Sequence, residues 1–350
     1  DPHYVPQLTA ERRQHLSASN PYFNHAGGVY YLARDEQGTP IGRISAQIDD
    51  NAQCEGWPLI GHFGLLEGVD ADTIYALLAQ AESWLEARGA EHVYGPYSLS
   101  INDETGLLIQ GHGKHPYMMM NYAPPFYADC LEKAGFVKAK DLLAYTLQLQ
   151  QPMSAPIRRG ARQILKNPRL VERGVNKHAF RDELSIIMRI FNDAWAKNWG
   201  FVPMEDNEIT EMAKALKPLI DPDLIRIAEI DGQPAAMIVA LPDLNSALKG
   251  LNGRLIPFGW ARLLWRLKVK GVDKARVLLM GVSGEWRDTP TGAGLSALLI
   301  NRLHEELNAK GYQECELSWL LEDNDSIIRL IESTGAGLDK RYRIYHKELI

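Results

Sequence analysis

The sequence has little of several features that mark whole classes of protein. It contains three cysteines, Cys54, Cys130 and Cys315, whose spacing does not match a metal-ligand pattern. The odd number argues against a disulfide framework, so we expect a reducing, cytoplasmic environment and no bound metal. No uninterrupted apolar run reaches the length of a membrane-spanning helix, and the N-terminus shows no signal-peptide pattern.

An excess of positive charge is also lacking. The formal net charge is -6 at pH 7, whereas a general nucleic-acid-binding protein is normally basic on at least one face. We therefore expect no nucleic-acid partner. The hydrophobic content of 45% and the charged content of 23% are typical of a globular protein with a substantial core. At 350 residues the chain is long enough for about two domains.

The most informative stretch of the chain covers residues 276–324. An apolar run at 276–282 predicts a buried strand, and leucines at helical spacing predict a following helix that ends at Gly311. The small residues Gly292-Ala293-Gly294 lie where this helix begins. Unpaired N–H groups and the helix dipole make such a position suitable for phosphate, although a plain tight turn is an equal alternative.

The first part of the chain repeats the same order of elements: hairpin, strand, helix, strand, helix and strand. This order indicates two related domains, residues 1–150 and 151–350, joined by a basic, proline-punctuated linker over 150–170. In the first copy, Glu67 and Asp70 lie just before the helix, where carboxylates would compete with phosphate for the helix dipole. We therefore expect the N-terminal copy to be degenerate and non-catalytic.

An insertion in the second domain, at about residues 245–272, is the least generic segment of the chain. It contains lysines and arginines but no acid, interleaved with leucines and two tryptophans. A basic, amphipathic stretch with tryptophan is typical of a helix in a membrane interface, which predicts peripheral contact of residues 251–270 with the inner membrane face. The alternative is a cover helix that packs on the core and exposes a basic face.

The order of strand, Gly-rich loop, helix, strand and Asn-led helix resembles the acetyl-CoA-binding core of the GNAT acyltransferase superfamily. The resemblance implies an α/β (α+β) fold of two tandem GNAT-like domains, with mixed sheets flanked by helices. Thr289 departs from the superfamily, which usually has Gln or Arg there. The resemblance also implies acyl-CoA as a substrate and places its contacts at Val282, Arg287, Thr291, Gly292, Ala293, Gly294, Leu295 and Asn324.

Motifs over most of the chain are similar to a bacterial family of tandem GNAT-like proteins that resembles the ceramide synthases. The resemblance implies transfer of a fatty acyl group from acyl-CoA to the amine of a long-chain sphingoid base. Two alternatives stay open: transfer to another amine, such as an amino acid or peptide, and a non-catalytic acyl-CoA or lipid-binding module. The motifs are Asn20-Pro21-Tyr22-Phe23, Asn102-Asp103-Glu104, Asn192-x-Ala194-Trp195-x-x-Asn198-Trp199, Ser318-Trp319-x-Leu321-Glu322-Asp323-Asn324 and Lys340-x-Tyr342-Arg343-Ile344-Tyr345.

Transfer to an amine needs a base for the amine proton, and the departing thiolate benefits from an acid. Glu322 is the preferred base and Glu316 the second choice, whereas Tyr342 or Tyr345 is the candidate acid. A helix-capping role for Glu322 and structural roles for both tyrosines are the alternatives. The residues predicted to bind the acceptor are Asn192, Trp195, Asn198, Trp199, Trp319, Phe258, Trp260 and Asn102.

Overall fold

A computed structural model describes residues 2–217 and 220–349 of the chain. The strands are β1 (Ala26–Arg34), β2 (Pro40–Asp49), β3 (Ile60–Gly68), β4 (His92–Gly95), β5 (Leu107–Gln110), β6 (Val137–Gln148), β7 (Leu170–Gly174), β8 (Ile225–Ile230), β9 (Gln233–Pro242), β10 (Lys274–Val282), β11 (Glu314–Leu321) and β12 (Gly337–Glu348). The α-helices are α1 (Thr9–His15), α2 (Ala71–Glu86), α3 (Phe126–Lys133), α4 (Ala155–Ile164), α5 (Phe180–Trp195), α6 (Asp206–Leu216), α7 (Leu244–Leu248), α8 (Gly259–Trp265), α9 (Pro290–Ala309) and α10 (Asp325–Ser333).

One unit of structure occurs twice in the sheet. In the first repeat, β1, β2 and β3 are antiparallel, α2 follows, and β4 lies parallel to β3. In the second repeat, β8, β9 and β10 are antiparallel, α9 follows, and β11 lies parallel to β10. This arrangement confirms the predicted mixed α/β class and the tandem repeat of one architecture.

The two repeats exchange their last strands. β12, from the second repeat, pairs with β4 of the first, whereas β6, from the first repeat, pairs with β11 of the second. β6 and β12 also pair with each other, so the sheet runs through both repeats in the order β1-β2-β3-β4-β12-β6-β11-β10-β9-β8-β7, with β5 pairing β12 beside this path. Each repeat therefore depends on a strand from the other, and the division at residue 150 stays a prediction.

A buried carboxylate joins the exchanged strands. Asp141 of β6 is 1% exposed and accepts hydrogen bonds from Arg343 Nε at 2.8 Å and Arg341 Nη1 at 3.1 Å, both on β12. Lys138 Nζ lies 3.3 Å from the same carboxylate. Burial by itself raises the pKa of Asp141, but the two arginines outweigh burial and hold the pKa below its usual value.

The segment that was predicted to be a linker contains a helix instead. α4 has a proline, Pro156, in its first turn, where the missing N–H is not needed. Ile157 and Ala161, four residues apart, are buried, and a Cβ on Gly160 would lie 3.0 Å from Ala297 of α9. The linker prediction is therefore wrong over this helix, because Pro152 lies before it, Pro156 lies in its first turn and Pro168 lies beyond its end. The sequence also predicts a helix from Glu205 to Leu219. The structure has α6 within this range, and the predicted end lies outside the described residues.

The insertion lies between β9 and β10 and consists of α7, α8 and a π-helical turn, Arg266–Lys270. Its inner side packs on the N-terminal segment, where Leu248 and Leu251 form a small cluster with Val5. Among the residues that the structure describes, no helix combines the length and hydropathy that crossing a bilayer requires.

Candidate functional site

The two parallel strands of the second repeat separate part-way along their length. β10 and β11 pair with each other only over Lys274–Val277 and Glu314–Leu317. Farther along, β10 continues on β9 and β11 continues on β6. A register shift between Val277 and Leu279 in β10 marks the point of divergence, and β11 has a matching shift. The strands therefore leave a wedge between their carboxyl ends.

Main chain fills the equivalent wedge of the first repeat. Directly after β4, Tyr97 N donates a hydrogen bond of 2.8 Å to Phe63 O of β3. Gly64 makes this approach possible, because a Cβ there would lie 1.4 Å from Tyr97 O. The N-terminus of α2 is also capped, since the Asp70 carboxylate accepts from Thr73 N at 2.9 Å. The first repeat thus has a closed wedge and a carboxylate where a phosphate site would need positive potential.

A cavity of about 150 Å³ opens at the wedge of the second repeat. Both repeats contribute to its wall: Leu278 and Leu279 belong to β10, whereas Ile101 and Met119 belong to loops of the first repeat. The degenerate first copy therefore builds part of the site. Five of the residues predicted to bind the acceptor line this cavity, namely Asn102, Trp195, Asn198, Trp199 and Trp319.

A larger cavity of about 610 Å³ adjoins the first one. Its volume falls in the range of about 300–1,000 Å³ that is usual for small-molecule sites. It extends toward α1, α6 and α7, where Leu8, Leu244 and Leu248 contribute apolar wall. The residues that line both cavities are Asn102, Asp103, Met119, Met204 and Met212.

A carboxylate lies where the two cavities meet. Asp103 lines both and is 37% exposed, and its Oδ2 lies 3.4 Å from His15 Nε2. Burial lowers the pKa of His15, but the contact with Asp103 outweighs it, and the net pKa is raised. The neighbouring Glu104 is neutralised by Arg12 Nη2, which donates to both carboxylate oxygens at 3.0 and 3.1 Å. Asp103 belongs to one of the sequence motifs, but nothing in the sequence marks its position between the cavities, because Asn and Asp are ordinary turn formers.

A buried ion cluster lies behind the wedge. Glu316 of β11 is fully buried, 3.6 Å from Arg276 Nε and 3.6 Å from Lys340 Nζ, and it accepts from Ser318 Oγ at 2.6 Å. Burial raises the pKa of Glu316 despite the two cations. Arg276 and Ser318 line the smaller cavity, so they separate Glu316 from it. Within the described residues, Glu316 Oε2 and Tyr342 Oη are buried without a hydrogen-bond partner, and burial raises the pKa of Tyr342.

The other two catalytic candidates have partners elsewhere. Glu322 Oε2 lies 2.5 Å from Lys138 Nζ, and Glu322 Oε1 accepts from Asp141 N at 3.1 Å. Tyr345 is fully buried in the hydrophobic core of the first repeat and donates to Glu132 Oε1 at 3.3 Å. The structure therefore places neither residue in the lining of the two cavities at the wedge, and their catalytic roles stay predictions.

The helix that follows the wedge begins at a capped N-terminus. Thr289, the position that departs from the superfamily pattern, is the N-cap of α9, and its Oγ1 accepts from Gly292 N at 3.1 Å. A Cβ on Gly292 would lie 2.1 Å from Trp286 O, and one on Gly294 would lie 3.0 Å from Ile164. These glycines therefore have a packing role that is independent of any ligand.

The remaining predicted cofactor contacts differ in exposure and in the partners that they already have. Ala293 is exposed, whereas Leu295 is buried in the core, so only the main chain of Leu295 can reach a ligand. Arg287 Nη2 donates to the main chain at Asp193 O at 2.7 Å, and Asn324 caps α10. Val282 and Thr291 are partly buried. Their role in binding acyl-CoA stays a prediction.

Three predicted acceptor contacts lie apart from the others. Phe258 and Trp260 are on the insertion and are 78% and 54% exposed. Asn192 is half-buried in α5, and its Oδ1 is buried without a hydrogen-bond partner in the described part of the chain. Across residues 2–217 and 220–349, no group of three or more His, Cys, Asp or Glu side chains is arranged to hold a metal ion.

The chain is similar along its whole length to a characterised enzyme. It is 38% identical over 352 residues to the bacterial ceramide synthase of Caulobacter vibrioides (strain NA1000 / CB15N), with 100% of this chain and 91% of that protein covered. The chain belongs to the tandem GNAT-like acyltransferase family that contains this synthase. It is an N-acyltransferase. The acyltransferase is also 41% identical over 351 residues to Protein YghO of Escherichia coli (strain K12), covering 100% of this chain and 89% of that protein.

Solved structures agree with the fold. A tandem GNAT protein from the clavulanic acid biosynthesis pathway aligns with a TM-score of 0.59 at 13% identity, covering 100% of this chain and 90% of its own. A GCN5-related glucosamine N-acetyltransferase region of a fungal β-N-acetylglucosaminidase aligns with a TM-score of 0.55 at 16% identity, over 91% of this chain and 33% of that one. No protein-family model matches the acyltransferase.

Proposed function

We propose that the acyltransferase transfers a fatty acyl group from acyl-CoA to the amine of a long-chain sphingoid base. The observation that carries the proposal is the pair of joined cavities, which connects the wedge to a chamber of about 610 Å³. The name of the Caulobacter relative, ceramide synthase, supports the choice of a lipid amine. The first repeat is then a wall of the site rather than a second catalytic unit.

The acyl-CoA is assigned to the wedge and to the start of α9. Parallel strands that separate leave main-chain groups of both strands unpaired, and the thioester can align with them as an added strand does. The 20-residue helix α9 follows the carboxyl end of β10 in the chain. The helix dipole makes the N-terminus of α9 favourable for phosphate. At this helix end, Ala293 is exposed and Arg287 is partly buried.

The acceptor chain is assigned to the larger cavity. Four methionines, Met118, Met119, Met204 and Met212, line it together with leucines. Methionine is unbranched and adaptable, so such a wall can fit a flexible hydrocarbon chain. Each buried CH₂ group contributes about 0.8 kcal/mol, which favours a long acceptor over a short one.

Asp103 is the residue that we assign to the acceptor amine. Its carboxylate lies at the junction of the two cavities, where an amine held in the larger cavity would meet a thioester held in the wedge. The carboxylate can bind the ammonium form and accept its proton before the amine attacks the thioester carbonyl. His15, which also lines the larger cavity, positions Asp103 through its contact of 3.4 Å. Glu322 is less suitable, because Lys138 occupies its carboxylate.

The test is release of free thiol from palmitoyl-CoA with and without a long-chain sphingoid base, followed by mass spectrometry of the lipid product. Acceptor-dependent release with an N-acylated lipid is expected. If a small amine or an amino acid is acylated equally well, the enzyme class stands but the lipid acceptor is wrong. The variant Asp103→Asn should lose acceptor-dependent release, whereas Asp50→Asn, an exposed carboxylate outside both cavities, should retain it.

A further inference from the structure

The insertion carries several large apolar side chains on the molecular surface. Their exposed fractions range from 50% for Leu264 to 84% for Ile256. Single exposed apolar residues are normal, but a group within one short segment marks an interaction site. We name the following residues the apolar surface cluster: Ile256, Phe258, Trp260, Leu264, Trp265 and Val269.

The segment that carries this cluster is anchored to the protein by other residues. Leu263 packs with Leu251 in the small hydrophobic cluster under the insertion. Arg266 Nη1 donates to Ala247 O at 2.7 Å and to Lys249 O at 2.6 Å. The inner side of the insertion is therefore already packed, and the apolar surface cluster is not needed to hold it in place.

The exposed residues of α8 are arranged on two different sides. Trp260 and Leu264 are four residues apart, so their side chains lie on one side of the helix. Arg262 is also exposed, and because it lies two residues from each of them it is on a different side of the helix. A helix with an apolar side next to a basic side is suited to lie in the interface of a membrane, with the apolar side chains below the headgroups.

The positive charge of the insertion determines the kind of surface that it can bind. The whole chain has a net charge of -6, yet residues 245–272 contain no Asp or Glu. A basic segment in an acidic protein is attracted to a negatively charged surface, and the anionic headgroups of a bilayer provide one. The basic residues of the segment are Lys249, Arg254, Arg262, Arg266, Lys268 and Lys270.

We propose that the apolar surface cluster and the exposed basic residues Lys249, Arg254, Arg262 and Lys270 dock the protein on an anionic lipid bilayer. Two leucines at the start of the insertion, Leu244 and Leu248, line the larger cavity. Docking therefore brings the wall of the larger cavity close to the membrane. If the proposed function is correct, a long-chain amine dissolved in the bilayer has a short path to Asp103, but the docking itself does not depend on that function.

The test is flotation of the full-length protein, without substrate, with vesicles of two compositions. We expect binding to phosphatidylcholine vesicles that contain phosphatidylglycerol, and much weaker binding to phosphatidylcholine alone. The double variant Ile256→Ser/Val269→Ser should partition at least about tenfold more weakly, since it removes two side chains that would be buried in lipid. The matched control is Trp57→Ser/Val69→Ser, whose residues are 74% and 63% exposed outside the insertion; it should bind as the wild type does.

Charge is tested separately from apolar contact. Arg254→Gln and Lys270→Gln should each weaken binding to the anionic vesicles about fivefold, and added salt should weaken it further. The proposal is wrong if the wild-type protein does not float with anionic vesicles, or if the double variant binds as well as its control. Acyl transfer measured in detergent micelles reports on the proposed function independently of either result.

Discussion

Replacing Asp141 with Asn is expected to loosen the pair of strands that the two repeats exchange. The carboxylate of Asp141 is 1% exposed and joins β6 to Arg341 and Arg343 of β12. Asn has nearly the same size but carries no charge, so the variant leaves Lys138 and both arginines without their shared anion. The main-chain hydrogen bonds between β6 and β12 can still form in the variant. The variant therefore tests the ion cluster.

The expected loss of stability depends on how deeply Asp141 and its two arginine partners are buried. Neutralising one side of a buried ion pair costs about 3–5 kcal/mol. Since Arg341 and Arg343 are 31% and 23% exposed, water can solvate them in part. We therefore expect a loss of about 3 kcal/mol in the free energy of unfolding. With a urea dependence of about 3 kcal/mol per molar, the unfolding midpoint falls by about 1 M.

The pH dependence of this loss has a definite sign. The pKa of Asp141 is lowered in the folded protein, so its contribution is present above the unfolded pKa of about 3.9 and disappears as the pH falls through the folded pKa. Urea unfolding at pH 7 should separate Asp141→Asn from the wild type, and the difference should shrink in acid.

A suitable control is Asp325→Asn, which neutralises a pair with Arg329 whose side chains are 76% and 72% exposed. It should cost less than about 1 kcal/mol. Equal midpoints for Asp141→Asn and the wild type at pH 7 would refute the role assigned to this cluster.

Four further substitutions have distinct expected effects. Asp103→Asn should lower kcat/KM for the amine at least about a hundredfold while acyl-CoA binding, measured by calorimetry, stays unchanged; His15→Gln should lower it less, because His15 only positions the carboxylate. Gly64→Ala should destabilise the protein by about 1–3 kcal/mol or prevent folding, since its Cβ would lie 1.4 Å from Tyr97 O. Thr289→Ala should cost about 1 kcal/mol in thermal unfolding through loss of the α9 cap, and a larger loss would mean that Thr289 has a further role.

Local patterns in the sequence were sufficient to predict the elements of the second repeat. The apolar run 276–282 corresponds to β10, and the leucines before Gly311 correspond to α9. Both could be predicted because the spacing of apolar residues and a helix-ending glycine are local signals. The prolines near 152–156 were misleading, since proline disfavours a helix interior but fits a helix start. The exchange of β6 and β12 has no local signal, because it depends on pairing between strands that are far apart in the sequence.

The candidate site could be predicted only in part, for a similar reason. Trp195, Trp199 and Trp319, which are predicted to bind the acceptor, all belong to the second repeat and line the smaller cavity. Asp103 and Met119 belong to loops of the first repeat and reach the wedge only through the packing of the two repeats. Sequence spacing cannot show such a contact, and Asn102 is the residue of the first repeat that the sequence analysis assigns to the acceptor.

We propose that a long-chain amine occupies the larger cavity and is acylated at the wedge. The decisive measurement is kcat/KM for acyl transfer from palmitoyl-CoA to a series of amines that differ only in chain length. We expect kcat/KM to rise by up to about fourfold for each added CH₂ group until the cavity of about 610 Å³ is filled. A short-chain amine with the same kcat/KM as a long-chain one would contradict it.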